Sequence, residues 1–281
     1  MKVGFIGAGK AGFSLGKYFK EKGLSVSGYY SIPEKDAIEA ARFTNTDFFS
    51  SAGDLVFFSD IIFITTPDSE IKGVWQEIKE YDISEKTICH VSGALGADVF
   101  TDESKGADKR CSLHPLLAFS SRKESWKELE HATFSIEGTE EGKDSLLRIT
   151  KELENEVINL GSEKKAEYHL ASVMASNAVV AMFDMAVRCF LDCGFSEASA
   201  RKALRSLFEA NAHNVALKGA KAALTGPCER GDAETVKKHF KYLDGDDREL
   251  YKLISLRLVK IAEKKNPEKD YKDLKKLLED I

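Results

Sequence analysis

Over residues 1–160 short apolar runs alternate with longer amphipathic ones. Residues 2–6 are an apolar run of strand length. In residues 10–22 Ala11, Leu15, Tyr18 and Phe19 recur at i, i+4, i+7 and i+8, the spacing of one helix face. Residues 24–30 predict a second strand and 34–42 a second helix. The continuous apolar run DIIFIT at 60–65 suits a strand buried on both faces. A helix over 69–81, a strand over 87–91 and strands at 110–114, 133–137 and 156–160 complete the pattern. Strands and helices joined in this order by short linkers predict an α/β fold whose N-terminal domain, 1–160, is a doubly wound, mainly parallel sheet.

Past Gly161 the strands stop. Residues 163–192 read as one helix of about 30 residues, roughly 45 Å long. Its middle, 173–187, is apolar on nearly every face and calls for burial on both sides, part of it by a dimer partner. Ser172, Ser176, Asn177 and Asp184 interrupt the most apolar segment, 171–187, which reads as too short and too polar to cross a bilayer. Further helices at 196–217, 232–243, 246–264 and 269–278, punctuated by Gly194, Gly226, Gly231 and Gly245, make 161–281 an all-α domain for substrate binding and dimerisation.

Composition adds limits rather than detail. The 281 residues are 43% hydrophobic and 31% charged, as in soluble globular proteins. A net charge of -5 argues against a nucleic-acid partner. That average hides an acidic first half, with 19 basic against 27 acidic side chains, and a mildly basic second half with 22 against 19. The basic half suits a small anionic substrate, although its lysines at 260–276 read as a solvated face. The five cysteines (Cys89, Cys111, Cys189, Cys193, Cys228) have no C-x-x-C spacing and fit a reducing cytoplasm, with Cys189 and Cys193 expected as small core residues. The N-terminus does not read as a signal peptide. No metal site is expected.

Gly7-Ala8-Gly9-Lys10-Ala11-Gly12 reads G-x-G-x-x-G between a predicted strand and a helix, the context that makes this motif a dinucleotide site of the Rossmann type. Gly7 permits the turn, Gly9 lets the backbone approach a pyrophosphate, and Gly12 lets the helix pack on the sheet. The phosphates are expected on the helix N-terminus. The second strand ends Tyr30-Ser31-Ile32-Pro33-Glu34-Lys35 with no acid at its tip. Ser31 and Lys35 therefore point to a 2′-phosphate and to NADP(H) rather than NAD. Thr66 and Pro67 follow the buried strand at the carboxyl edge of the sheet, as a cofactor contact or a helix start, with Asp68 as the cap.

The remaining candidates concern chemistry. Ser92, in the small-residue turn VSGALG, is a substrate ligand or a helix cap. His114, in SLHPL, ends another strand at the same edge and is the candidate proton donor for an alkoxide. His90, His131 and His239 read as structural. The long helix carries Lys165, His169, Ser172 and Ser176 on one polar stripe, with Asn177 beside them. Lys165 and Asn177 are about 18 Å apart along the axis, so one small substrate cannot touch both. Ser176 and Asn177 are assigned to catalysis and His169 to substrate. Asn214, Thr225 and Arg230 are further substrate candidates, Arg230 for bidentate binding of a carboxylate, while Asp232 reads as a cap.

Together GFIGAGKAG, TPD, HVSGALG, SLHPLLAF, KAEYHLASVMASN and ALTGPCERGD resemble the Rossmann-like oxidoreductases whose C-terminal half is the domain of unknown function numbered 2520. That family is similar in plan to pyrroline-5-carboxylate reductases, ketopantoate reductases and β-hydroxyacid dehydrogenases. The resemblance implies an NADPH-dependent reductase of a small 2-oxo acid, with ketopantoate, in pantothenate and coenzyme A synthesis, as the leading substrate. An imine reductase and a dinucleotide-binding regulator without turnover are the alternatives. One departure stands out: aligned on Asn177, the related K-x-x-x-N pattern puts Val173 where those enzymes carry a proton-donating lysine.

Overall fold

The computed structural model of the chain describes residues 1–101 and 107–281, which form two compact units, Met1–Asn177 and Ala178–Ile281. In the first unit the order is β1 (Lys2–Ile6), α1 (Lys10–Glu21), β2 (Ser25–Tyr30), α2 (Glu34–Thr44), β3 (Asp47–Phe48), α3 (Ala52–Phe58), β4 (Ile61–Ile64), α4 (Asp68–Ile78), β5 (Thr87–His90), β6 (Lys109–Pro115), β7 (Phe134–Gly138), α5 (Glu140–Leu153), β8 (Val157–Asn159) and α6 (Lys165–Ala175). The strands form one sheet in the order β3-β2-β1-β4-β5-β6-β7-β8. Every neighbouring pair is parallel except β6 and β7. The order reverses between β1 and β4, so the carboxyl ends of these strands flank the crevice where doubly wound sheets take ligands.

The period of two along each strand sorts the core into two layers. Val3, Phe5, Ile61, Phe63, Cys89, Cys111 and Leu113 face one side, against apolar residues of α1, α2 and α5. Ile6, Ile62, Ile64 and Ile88 face the other, against α3 and Trp75 of α4. Phe5 stacks between Tyr29 and Phe63, with ring centroids 5.3 and 5.6 Å away. Both faces are covered, as the apolar runs of β1 and β4 require.

The expected single helix over 163–192 is two. Ser176 has φ -121 and ψ -74, which ends α6, and α7 (Asn177–Asp192) starts afresh. The serine side chain takes part in the break: Ser176 Oγ donates to the Ser172 carbonyl at 2.7 Å, the back-bonding that weakens helical hydrogen bonds. The expected boundary at Gly161 also moves. Strands do stop there, but α6 belongs to the first compact unit.

The second unit continues with α8 (Glu197–Ala223), α9 (Pro227–Arg230), α10 (Ala233–His239), α11 (Gly245–Lys265) and α12 (Lys272–Asp280). Cys228, Val236, Phe240, Val259, Ala262, Tyr271, Leu274 and Leu278 form its main core. Asp232 caps α10 by accepting from the Thr235 amide at 3.0 Å. One expectation is corrected here: Cys189 and Cys193 are exposed rather than core. Within a single chain part of the apolar stretch is uncovered, with Met174 and Val180 61% and 70% exposed, the part expected to need a partner. The longer segment Ser162–Asp192 passes for a membrane span by length and composition alone, with 11% of its most apolar window buried, but the break at Ser176 divides it.

Candidate functional site

The glycine-rich turn joins β1 to α1 under close restraint. The Gly7 amide donates to the Tyr30 carbonyl at 2.8 Å, and Thr65 Oγ donates to the Gly7 carbonyl at 2.6 Å. Gly7 has φ +100, which only glycine adopts without strain. A Cβ on Gly12 would lie 2.3 Å from the Gly7 carbonyl oxygen, whereas a Cβ on Gly9 would meet nothing within 4 Å. The open space beside Gly9 is at the start of α1, which has no side-chain cap and no acid in its first turn. Free amides and a helix dipole therefore face an accessible spot, and the loop fits a pyrophosphate.

The neighbouring candidates are placed unequally. Ser31 is buried, and its Oγ accepts from the Ala8 amide at 3.3 Å, which leaves the hydroxyl proton free to donate. Lys10 and Lys35 are exposed, and Ala11 is half-buried. Thr66 Oγ is buried without a partner beside Gly7, and Pro67 is the residue that precedes α4. Asp68 does not cap α4; it is the first helical residue, and its carboxylate accepts a hydrogen bond from Ser92 Oγ at 2.7 Å.

Of the two readings of Ser92, its bonds fit the cap. Its hydroxyl also accepts from the amides of Ala94 and Leu95 at 3.1 and 3.0 Å. With donor and acceptor capacity engaged, Ser92 shapes the turn after β5 rather than binding substrate. His90 holds the same turn from below. The Ser92 amide donates to its Nδ1 at 3.2 Å, so the ring proton sits on Nε2 and bonds the Gly96 carbonyl at 3.1 Å. Burial pushes the His90 pKa down to about 3, and the ring is neutral. A third tie was missed by the sequence reading: Lys165, 3% exposed, donates from Nζ to the Ser92 carbonyl at 3.0 Å. Burial lowers its pKa, against the pull of Glu137, Cys89 and Asp68.

This turn brings Gly93 beneath two imidazoles. A Cβ on Gly93 would lie 2.8 Å from His114 Nε2 and 2.9 Å from His169 Nδ1. Two ring nitrogens from different elements, the end of β6 and the middle of α6, thus converge over a residue with no side chain. His114 is fixed from behind by Tyr168, whose hydroxyl lies 2.8 Å from Nδ1, with the two rings edge to face. His169 Nδ1 is buried and has no partner. Burial, then Lys165 and His169, push the His114 pKa down to about 4. The ring is therefore neutral near pH 7, and a neutral imidazole is a hydrogen-bond donor rather than the ready proton source expected of His114.

A cavity of about 420 Å³ opens from this point, lined by His114, Leu116, His169, Ser172, Ser176 and Asn177 among others. The stripe read from the sequence does wall a cavity from His169 to Asn177, with Lys165 beneath the Ser92 turn. Ser176 Oγ also lies 3.0 Å from Asn177 Oδ1. Asn177 is exposed. Asn214, Thr225 and Arg230 belong to the second unit, where Thr225 and Arg230 are exposed and Arg230 approaches Asp232 at 4.0 Å. Among the described residues no group of three or more His, Cys, Asp and Glu side chains could hold a metal ion.

No curated protein matches the chain. Among solved structures it is similar to protein TM1727 from Thermotoga maritima, with 25% identity, 94% of this chain and 99% of that chain covered, and a TM-score of 0.75. A Bacteroides fragilis protein provisionally named an NADP oxidoreductase gives 23% identity, 92% and 98% coverage, and a TM-score of 0.75. Pyrroline carboxylate reductase from Plasmodium falciparum, solved with NADP bound, shares the fold at 16% identity, 95% and 97% coverage and a TM-score of 0.60. Residues 1–115 match the model of the Rossmann-like domain and residues 132–258 that of a domain of unknown function, DUF2520, so the chain joins these two domain families in one polypeptide.

Proposed function

We propose that the protein is an NADP(H)-dependent reductase of a small anionic carbonyl compound, a 2-oxo acid with ketopantoate as the leading candidate. The observation that carries this reading is the convergence of His114 Nε2 and His169 Nδ1 over Gly93, with buried Lys165 beneath the same turn. The start of α1 beside Gly9 has the free amides for the pyrophosphate, and Ser31 has a proton for a 2′-phosphate. NADPH, when bound, supplies the hydride.

The residues of the chain do the rest. A carbonyl oxygen over Gly93 accepts from His114 Nε2 when Tyr168 donates to Nδ1. The oxygen, once it carries negative charge, would take a proton from Nδ1 of a His169 imidazolium, which leaves that ring neutral. Lys165 acts as a positioning residue: it holds the Ser92 carbonyl and adds positive charge where negative charge develops, an arrangement worth several kcal/mol in a water-poor site. The absence of lysine at Val173 is met by Lys165 and His169, one turn apart on α6.

Reduction of a cyclic imine is the second reading, suggested by the likeness in fold to a Pseudomonas imine reductase at 16% identity. A protonated imine is a cation, which the positive charge of Lys165 beneath the same turn opposes, so the cluster favours the carbonyl. The apolar surface of α7 and α8 supports a homodimer, and five free cysteines suit a reducing cytoplasm. The test is NADPH oxidation with ketopantoate, other 2-oxo acids and pyrroline-5-carboxylate, for wild type, His114→Ala and His169→Ala. Loss of about 100-fold in kcat in each variant is expected. Unchanged kcat in both refutes the site, and tight NADPH binding without oxidation of any substrate favours a regulator.

A further inference from the structure

Ala8, between the first two glycines of the motif, has both backbone groups tied to side chains from elsewhere. Its amide donates to Ser31 Oγ at 3.3 Å, and its carbonyl accepts from Arg122 Nη2 at 2.7 Å. Ser31 follows β2. Arg122 comes from the connection between β6 and β7, 114 residues away in sequence. Its guanidinium lies over the Phe13 ring at 4.8 Å. It reaches Asp36 at 3.2 Å and Glu39 at 3.4 Å on α2. Lys123 joins Glu39 at 2.9 Å. The side chain of Arg122 is 32% exposed, while its Nε is buried and has no partner.

We propose that Arg122 reads the 2′-phosphate of the dinucleotide, together with Ser31. This rests on the dinucleotide reading above. The tip of β2 itself carries no acid, because Ser31, Ile32 and Pro33 follow Tyr30 directly, and the carboxylates of Asp36 and Glu39 on α2 are paired with Arg122. Where NAD-specific sites place an acid to accept from the 2′-hydroxyl, this chain has a hydroxyl donor. Arg122 bonds the carbonyl of Ala8, the residue whose amide that hydroxyl holds. Its charge is permanent; Nη2 is engaged by Ala8 and Asp36 and Nη1 meets Glu39, so a phosphate would be met by the remaining Nη1 proton. Asp36 and Glu39 hold the fork in place, and the ring of Phe13 sets its plane. Lys35, exposed on the first turn of α2, is left as a general attraction rather than the reader.

The experiment compares 2′,5′-ADP with 5′-AMP, which differs from it only in lacking the 2′-phosphate, by calorimetric titration of the full-length protein. Wild type is expected to bind 2′,5′-ADP the more tightly. Arg122→Leu is expected to weaken 2′,5′-ADP by roughly 10- to 100-fold, as loss of charged hydrogen bonds does, and to leave 5′-AMP unchanged. Arg122→Lys, with a charge but no fork, is expected to fall between and guards against a folding defect in the leucine variant. An equal loss for both ligands, or none, overturns the assignment. If wild type binds 5′-AMP and NADPH but shows no preference for 2′,5′-ADP, Arg122 alone is refuted. If it binds none of them, the dinucleotide reading fails and this one with it.

Discussion

His90 makes acid stability a direct test of the site's architecture. The ring is fully buried, and its pKa is pushed down to about 3 from the ordinary 6.5. Because the folded value lies below the unfolded one, the unfolded chain takes up the proton first. Stability is intact above the unfolded pKa and is lost progressively as pH falls from there toward the folded pKa. At about pH 5 the loss follows from the distance to the unfolded value, about 1.5 units, and is roughly 2 kcal/mol. It hardly changes if the folded value is a unit higher. Protonation also turns Nδ1 from acceptor to donor and breaks its bond to the Ser92 amide, so the turn under His114 and His169 opens. The assay is thermal unfolding of wild type and His90→Phe at about pH 7.5 and about pH 5. The variant is less stable at both, since it leaves the Gly96 carbonyl and the Ser92 amide unpaired. The informative quantity is the difference between the two pH values, expected to shrink in the variant by about 4–8 °C. An identical acid shift in both proteins would refute the reasoning.

Other predictions separate fold from function. Gly9→Ala adds a Cβ where the protein has open space, at a φ of -75 that any residue adopts; it is expected to keep Tm within about 2 °C while weakening NADPH, measured by fluorescence titration, about tenfold or more. Gly12→Ala drives a Cβ to within 2.3 Å of the Gly7 carbonyl and is expected to lower Tm as well as binding. Lys165→Met is expected to reduce kcat by about 100-fold. Because the lowered Lys165 pKa means activity is lost as pH rises through it, the variant is also expected to lose the alkaline limb of the kcat profile. Val180→Asp with Leu207→Glu places charges on side chains that are 70% and 68% exposed; sedimentation is expected to show a dimer for wild type and a monomer for the double variant, and a wild-type monomer would refute the proposed pairing.

Periodicity and punctuation carried most of the fold. β1 coincides with its expected limits, and α1, β2, α2, β4, β5 and β6 are within a few residues of theirs. The omissions are short or lack a strong face. β3 has two residues, both exposed, and α3 has seven. The 14 residues of α5 carry a detectable stripe at Leu146, Ile149 and Leu153, overlooked between two strands. At the site, the glycine motif and His114 were legible because the one follows a strand and the other lies at the end of one, at the carboxyl edge. Ser92 left two readings open because its hydroxyl is engaged by Asp68, 24 residues away, which no local pattern reveals. Lys165 and Arg122 escaped for the same reason: a lysine near a helix start and an arginine in a polar loop look solvated until the chain folds them onto carbonyls 73 and 114 residues distant. The break at Ser176 was hidden because serine is tolerated within helices and marks a break only through the bond it makes.

The connection from β6 toward β7 has a thermodynamic consequence. Leu116, Leu117 and Ala118 line the cavity beside His114, and Arg122, a few residues on, is bonded to the Ala8 carbonyl of the glycine-rich turn. One short span of backbone therefore borders both ligand positions. A dinucleotide and a substrate bound as proposed would both press on that span, and linkage would make any coupling through it mutual: the factor by which one tightens the other would be the same in both directions.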